Sequence, residues 1–383
     1  MADYKIGFWN YMKMDRHNDG TVSEWEGLGY NYAMTPFYEE EKKDKFLSIL
    51  SQCDEKGIDV VVKDQRSLWK RLASKGEDEF RKGVKEMKKQ FGKHKCVHSF
   101  FIGDEPHEND MEIVAKACKI VKQECGGIKA FLSVATPVAM ERNKLKDTLI
   151  KLIKDGELDY LVYNCYSQGM ANIEQRQQGI NSYFEFLNMF REIRAVTQVP
   201  IWISLLGIGH WFYRAPSQSD MRWQLNTAAA YGIEGFVWFH PYESFNPHFG
   251  GQGYQINLFG EKTQSYQWMS EEDKKFMLYI AQTLKDATLE KVYQHWQNWI
   301  PMGGTQMFEK DIDEVVSDVV DIYNRPLIIS RFKKKDGSPI VAVCNASQTD
   351  IAEVTATFKA PYEDKRRHFF LTQGGIYLFD LGL

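Results

Sequence analysis

The chain reads as an α/β protein, a (β/α)8 TIM barrel followed by a small C-terminal antiparallel β domain. Eight apolar runs recur at 5–12, 28–34, 58–62, 97–102, 130–134, 160–163, 201–205 and 235–239, with helix-period patterns between them. Eight strand–helix units in about 250 residues is the arithmetic of such a barrel. The tail then changes character, with β-rich runs at 327–332, 340–345, 354–358, 368–371 and 376–381. The expected division is a barrel over 1–290, a helical linking segment over 291–324 and a β domain over 325–383. A doubly wound open sheet is the alternative. Its dinucleotide-binding form would want a glycine fingerprint, and Gly207-Ile208-Gly209 lacks the third glycine and has no helix pattern after it.

The elements follow in order. After the first run, Asp15 to Glu26 resembles a twelve-residue calcium loop, with Val22 at the apolar position. His17 stands where Asp or Asn is usual, and a strand precedes the loop where a helix belongs, so no calcium is expected. Thr21 and Glu24 also read as a capping box for a short first helix. Phe46, Leu47 and Leu50 give one face to a helix over 44–57. Ile113, Val114, Ala117, Ile120 and Val121 do the same over 109–126. Gly57, Gly126 and Gly156 read as helix stops. Ser217 with Asp220 caps a helix running through Ala230. A long helix over 271–289 should close the barrel, and further helix is expected over 312–322.

Composition narrows the function classes. The net charge is −4 and no basic stripe occurs, which argues against nucleic acid and against a membrane surface. No apolar stretch reaches the length of a membrane span. The six cysteines, Cys53, Cys96, Cys118, Cys125, Cys165 and Cys344, include no CxxC pair, so free buried thiols are expected. No signal peptide precedes the first strand. Location is therefore left open: secreted or periplasmic if the N-terminus was trimmed, cytoplasmic otherwise. Oligomeric state is equally open.

The chemistry concentrates in Phe100-Phe101-Ile102-Gly103-Asp104-Glu105-Pro106-His107, where an apolar run ends in two carboxylates and a proline. Strand C-termini open onto the ligand side of a barrel. The other strand ends offer Trp9-Asn10, Thr35, Lys63-Asp64-Gln65, Thr136, Asn164-Cys165-Tyr166, Gly207 to His210, and His240-Pro241-Tyr242-Glu243. No His/carboxylate trio has the spacing of a tight metal site, and no serine sits in a nucleophile elbow. Neither metal nor cofactor is expected. A polar, aromatic and acidic lining suits a polyhydroxylated ring, with aromatic faces for C–H surfaces and amides, imidazoles and carboxylates for hydroxyls. The candidate set is Asp104 and Glu105 for catalysis, and Asn10, Asp64, Tyr163, Asn164, Tyr166, His210, Trp238, His240 and Glu243 for binding. Several have bland readings too. Asp64 lies between Lys63 and Arg66 and reads as an ion pair. Glu243 reads as a turn cap. One of the two tyrosines reads as strand–helix packing, and both histidines as structural.

At these residues the chain resembles the (β/α)8 glycoside hydrolases. Gly103-Asp104-Glu105-Pro106 looks like their acid-bearing fourth-strand segment. Tyr213-Arg214-Ala215-Pro216, Arg222-Trp223-Gln224 and Ala228-Ala229-Ala230-Tyr231-Gly232, leading into Gly235-Phe236-Val237-Trp238-Phe239, are similar to the seventh-to-eighth-strand region of β-galactosidase-like barrels. The resemblance implies a carbohydrate substrate and Glu105 as general acid. One departure matters. Retaining enzymes of that clan carry a nucleophilic Glu at the end of strand seven, and Ile201-Trp202-Ile203-Ser204-Leu205-Leu206-Gly207 has no carboxylate. Two solutions stay open. Asp104 and Glu105 act together, as in hexosaminidases with an Asp-Glu pair after strand four, where the substrate's own 2-acetamido group attacks. Otherwise Asp64 or Glu243 serves as a distant base. Neighbours on a strand point to opposite faces, so the first solution needs a bend at Pro106. A carbohydrate-binding protein on a barrel without catalysis, and another barrel enzyme such as a lyase or isomerase, are the rival readings.

Overall fold

The computed structural model describes residues 4–135, 141–243, 251–296 and 302–382. Eight parallel strands form one sheet: β1 (Lys5–Phe8), β2 (Tyr32–Phe37), β3 (Asp59–Lys63), β4 (Val97–Asp104), β5 (Lys129–Val134), β6 (Leu161–Asn164), β7 (Ile201–Leu206) and β8 (Gly235–Phe239). The sheet runs β1-β8-β7-β6-β5-β4-β3-β2. The seam between β1 and β2 is bridged by Asn31. Its Oδ1 accepts from the Ile6 amide at 2.9 Å, its Nδ2 donates to Tyr4 O at 2.9 Å, and its own N–H donates to Ile6 O at 3.1 Å. Gly7 is required here, because a Cβ would stand 2.3 Å from Tyr32 O.

The helices α1 (Thr21–Leu28), α2 (Lys43–Lys56), α3 (Trp69–Lys75), α4 (Glu77–Phe91), α5 (Met111–Cys125), α6 (Arg142–Asp155), α7 (Ile173–Thr197), α8 (Gln218–Ala230) and α9 (Gln264–Lys275) belong to the surrounding layer. Their buried faces carry the expected periodicity: Phe46, Ile49, Leu50 and Cys53 on α2, and Val114, Ala117, Cys118 and Val121 on α5. Ser217 and Asp220 form the capping box of α8. The one expected at Thr21 is corrected. Gly20 is the cap residue of α1 and no side chain caps it; Thr21 lies inside the first turn and its hydroxyl accepts from the Asn18 amide. All six cysteines are free and buried.

The barrel floor is plugged by rings. Trp202 packs 4.3 Å from Tyr160 and 5.2 Å from Tyr32, and a Cβ on Gly235 would lie 2.0 Å from the Trp202 ring. Above it Trp9 meets Phe131 and Phe101 edge-on and donates from Nε1 to Ser204 Oγ at 3.0 Å. Rings this large leave no through-channel, so chemistry is confined to the strand C-termini.

The tail departs from expectation in two places. The closing helix starts earlier, at Gln264, and continues to Leu284, where the chain turns into β9 (Ala287–His295). The expected boundary at 290 therefore falls inside a strand. The region 312–322, expected helical, holds β11 (Val316–Asp321). Its β-branched residues pair antiparallel with β14 (Ala352–Phe358), and that pairing overrides the helical spacing. β10 (Gln306–Met307), β9, β12 (Leu327–Lys334), β13 (Pro339–Asn345) and β16 (Ile376–Asp380) form one sheet. β11, β14 and β15 (Arg367–Leu371) form another. All these pairings are antiparallel except β9–β10.

The sheet that holds β12 and β13 docks on α8, whose alanines and polar residues are nearly all buried. Trp223 Nε1 donates to Ala346 O at 2.7 Å, Asn226 Nδ2 to Gly374 O at 2.9 Å, and Ser330 Oγ to Ala230 O at 2.6 Å. Gly374 has φ +64° and touches the Trp223 backbone so closely that a Cβ would lie 2.4 Å from its Cα. Gly374→Ala is expected to cost about 1–3 kcal/mol of stability, from overpacking at a left-handed position. Denaturant unfolding checks this, and an unchanged midpoint would disprove the tight docking.

Candidate functional site

The site is built around β4. Its pairing with β5 slips between Phe101 and Gly103, and Glu105 then adopts φ +44°, a left-handed conformation that costs energy for a residue with a side chain. The Glu105 amide still donates to Ser133 O at 3.0 Å. The turn thus comes at Glu105 itself, one residue before the proline. It brings together two side chains that a regular strand would hold apart. Asn164, at the end of β6, grips both. Its Nδ2 donates to Glu105 Oε1 at 2.7 Å and lies 3.3 Å from Asp104 Oδ1. Ser133 Oγ donates to Asn164 Oδ1 at 2.9 Å, which sets the amide with its NH2 toward the carboxylates.

Both carboxylates reach solvent, yet the surrounding walls are apolar and aromatic. Burial, and then the negative charge of Glu105, push the Asp104 carboxyl up to about 7, against the pull of Asn164, Ser133 and Lys63. Tyr11 and Tyr166 flank the pair. Burial holds both hydroxyls well above the ordinary tyrosine range, and the charges of Asp104 and Glu105 add to it.

Around the pair is an aromatic wall. Phe239 lies 5.6 Å from Tyr11, 5.7 Å from Tyr166 and 4.7 Å from His210. At the rim, residues 210–213 make a tight turn closed by Tyr213 N–H to His210 O at 2.9 Å. It presents Trp211, with φ +51° and 69 % exposed, and Phe212, 54 % exposed.

Of the residues expected from sequence, Asp104, Glu105, Asn164 and Tyr166 come together. Others do not. Asn10 is wholly buried; its amide is engaged by Met34 O, His17 and the Met12 amide. Asp64 is buried and pairs with Arg66 at 2.7 Å, while its Oδ1 also accepts from the Arg66 amide. Tyr163 faces outward and packs on Phe186 and Phe190. The stacking role expected of Trp238 is corrected. It points away from the barrel axis, fully buried, with Nε1 donating to Asp273, while Phe239 takes the inner face. Burial pushes the His240 imidazole down to about 3, and His210 is lowered by burial too, so both are poor proton donors near neutral pH. Glu243 caps a loop, accepting from the Leu258 amide at 2.9 Å. Thr35 is buried and accepts from the Lys63 amide. Thr136 lies outside the described residues.

In the calcium-like loop the acids diverge. Asp15 pairs with Lys42 at 2.8 Å and Glu26 with Lys56 at 2.6 Å, while His17 packs edge-on against Trp25. Beyond β7 the first carboxylate in the chain is Asp220, held by Arg214 and by the α8 cap. The sequence reading missed Tyr11, Ser133 and Phe239 as site residues, and it placed Lys63 at a strand end without giving it a role in the site. Strand-end position pointed to Tyr11 and Lys63. Nothing in the sequence told which of Trp238 and Phe239 faces inward.

No family model and no curated protein sequence matches this chain. Solved structures do match. The β-galactosidase of Rahnella sp. R3 superposes with a TM-score of 0.58 at 12 % identity, over 76 % of this chain and 58 % of that one. The β-galactosidase of the psychrophilic Marinomonas ef1 gives 0.54 at 11 %, over 73 % and 60 %. The likeness is one of fold. This chain has the (β/α)8 barrel seen in glycoside hydrolases, and its matched part spans about three fifths of those β-galactosidases.

Proposed function

We propose that the protein is a glycoside hydrolase in which Asp104 and Glu105 act as one unit on a 2-acetamido sugar. The observation that carries this is the Asn164 amide gripping both carboxylates at the open end of the barrel. Glu105 gives a proton to the leaving glycosidic oxygen. The substrate's acetamido oxygen attacks the anomeric carbon as that bond breaks, and Asp104 accepts the amide N–H and balances the growing positive charge. Water then opens the cyclised intermediate, returning its proton to Glu105, with retention overall. Asp64 and Glu243, the distant candidates for a base, are engaged by Arg66 and by the Leu258 amide, which favours the assisted route. Tyr11, Tyr166 and Phe239 supply the faces for the ring.

A screen of aryl glycosides that includes N-acetylhexosaminides tests this. The expected result is hydrolysis of the N-acetylhexosaminide with retention, inhibited by a thiazoline mimic of the cyclised intermediate. Inversion would exclude the assisted route even with Asp104 essential. The absence of a carboxylate at the end of β7 favours one second reading, a carbohydrate-binding barrel without catalysis. Glycan binding with no turnover of any substrate would select it.

A further inference from the structure

A series of rings leads from the carboxylates out to solvent. Tyr166 stands two positions after Asn164, whose amide donates to Glu105 at 2.7 Å. The Tyr166 ring lies 6.1 Å from His210 and 5.9 Å from Tyr213. Each of these carries a further ring outside it. Trp211 lies 5.3 Å from His210, and Phe212 lies 4.6 Å from Tyr213. Exposure rises along the same path: His210 is buried, Tyr213 is half-buried, and Trp211 and Phe212 are exposed.

The turn that carries the two outer rings is fixed. The Ala171 amide donates to Phe212 O and the Arg214 amide to Gly169 O, both at 2.9 Å, so the chain beyond β6 grips it. On its other side Gly209 exchanges two backbone hydrogen bonds with Gln252, each 2.8 Å. A Cβ on Gly209 would lie 2.4 Å from Ala215 N, so the turn closes tightly on itself. At φ +51° Trp211 occupies a conformation that glycine or asparagine adopts with less strain. A large ring held there by fixed backbone buries little of its own area in the fold. It is preorganised for a ligand, since little freedom is left to lose on binding.

We infer that Trp211 and Phe212 form a platform for the outer units of a glycan, so that the site takes a sugar chain longer than a disaccharide. The inference deepens the reading of the Asp104–Glu105 end as a carbohydrate site and rests on it. One sugar at the carboxylates meets Tyr166 and Phe239, the next lies along His210 and Tyr213, and a further one reaches the exposed rings. Flat aromatic faces suit the C–H side of each pyranose.

A glycan array spanning linkages and chain lengths tests this, followed by calorimetry on the glycans retained. Glu105→Gln is used so that no ligand is consumed, and it is compared with the double variant Glu105→Gln/Trp211→Gly. Glycine suits a left-handed position, so the turn should persist without the ring, and circular dichroism checks it. The glycans retained should be longer than a disaccharide, and losing the Trp211 ring should weaken their binding about tenfold or more, the usual effect of truncating an aromatic anchor. If that variant does not fold, Phe212→Ser in the same background decides the matter by the same loss. Single sugars held as tightly as their chains, affinities unmoved in the folded variants, or no glycan retained would each overturn the inference. So would an octyl glycoside held as well as a chain, or a Trp211→Gly variant that only turns a dimer into a monomer. The glycosidase reading is tested separately by wild-type turnover. Aryl N-acetylhexosaminides cleaved with no preference for chains would leave that reading standing and sink the platform. Chain binding that depends on Trp211, with no turnover, would do the reverse.

Discussion

Glu105→Gln should leave the barrel folded and lower turnover by at least about a hundredfold on substrates with poor leaving groups, the usual worth of a positioned general acid. The substitution is close to isosteric. A glutamine oxygen can still accept from Asn164 Nδ2, so the 2.7 Å contact that orients the side chain has a replacement. What is lost is the proton. Aryl glycosides with good leaving groups need less protonation, so their cleavage step should suffer less, and the gap between the two substrate classes is the signature of an acid role. Circular dichroism and thermal unfolding report the fold, and kinetics on both classes report the chemistry. A folded variant with wild-type rates on the poor leaving groups would remove Glu105 from the mechanism.

Asp104→Asn is expected to cost roughly a hundredfold or more in kcat on an N-acetylhexosaminide, the scale seen when one preorganised electrostatic partner is removed. The pH dependence is the sharper readout. Asp104 must be ionised to accept the amide N–H, and its carboxyl is pushed up to about 7, so wild-type activity should rise as pH rises through about 7. With Asp104 replaced that titrating group is gone, and the limb near 7 should disappear. Stability supplies a check that needs no substrate. A carboxyl whose folded-state pKa lies above its unfolded value binds a proton in the fold that the unfolded chain has released. Between about 4 and 7 the wild type should therefore lose stability as pH rises. Asp104→Asn should flatten that slope and gain most, relative to wild type, above pH 7. Thermal unfolding at pH 4.5 and pH 8 measures it. Parallel slopes in the two proteins would show that Asp104 is not raised.

Glu105 and Trp211 both carry positive φ, and both stand at the mouth. Strain of this kind persists only where the surroundings hold it, and here Ser133, Asn164 and the hydrogen bond that closes the 210–213 turn do so. That is a structural reason to look for function at this end of the barrel, separate from any likeness to other folds.

How much of this was legible in the sequence follows from what each signal encodes. Apolar runs and helix periods depend on local burial, so the eight strands, the α8 capping box and the β-rich tail could be read directly. The position of Asp104 and Glu105 at a strand's end came the same way. Which face a side chain takes did not. A strand alternates with period two, and only the register against its neighbours decides whether Trp238 or Phe239 points to the axis; β8 packs Trp238 on Asp273 and turns Phe239 inward. Pairing partners distant in sequence likewise overrode a helical pattern at Val316–Asp321. The occupancy of polar groups was also beyond local reading. Asn10, Asp64 and Glu243 have the right chemistry for a sugar site, but contacts with Met34, Arg66 and Leu258 engage them elsewhere. The sequence by itself determined a barrel with an acidic fourth strand end and no carboxylate at the seventh. Only the tertiary structure brought Asn164 across two strands to join the acids, because such convergence depends on strand register and on a backbone turn that no local pattern encodes.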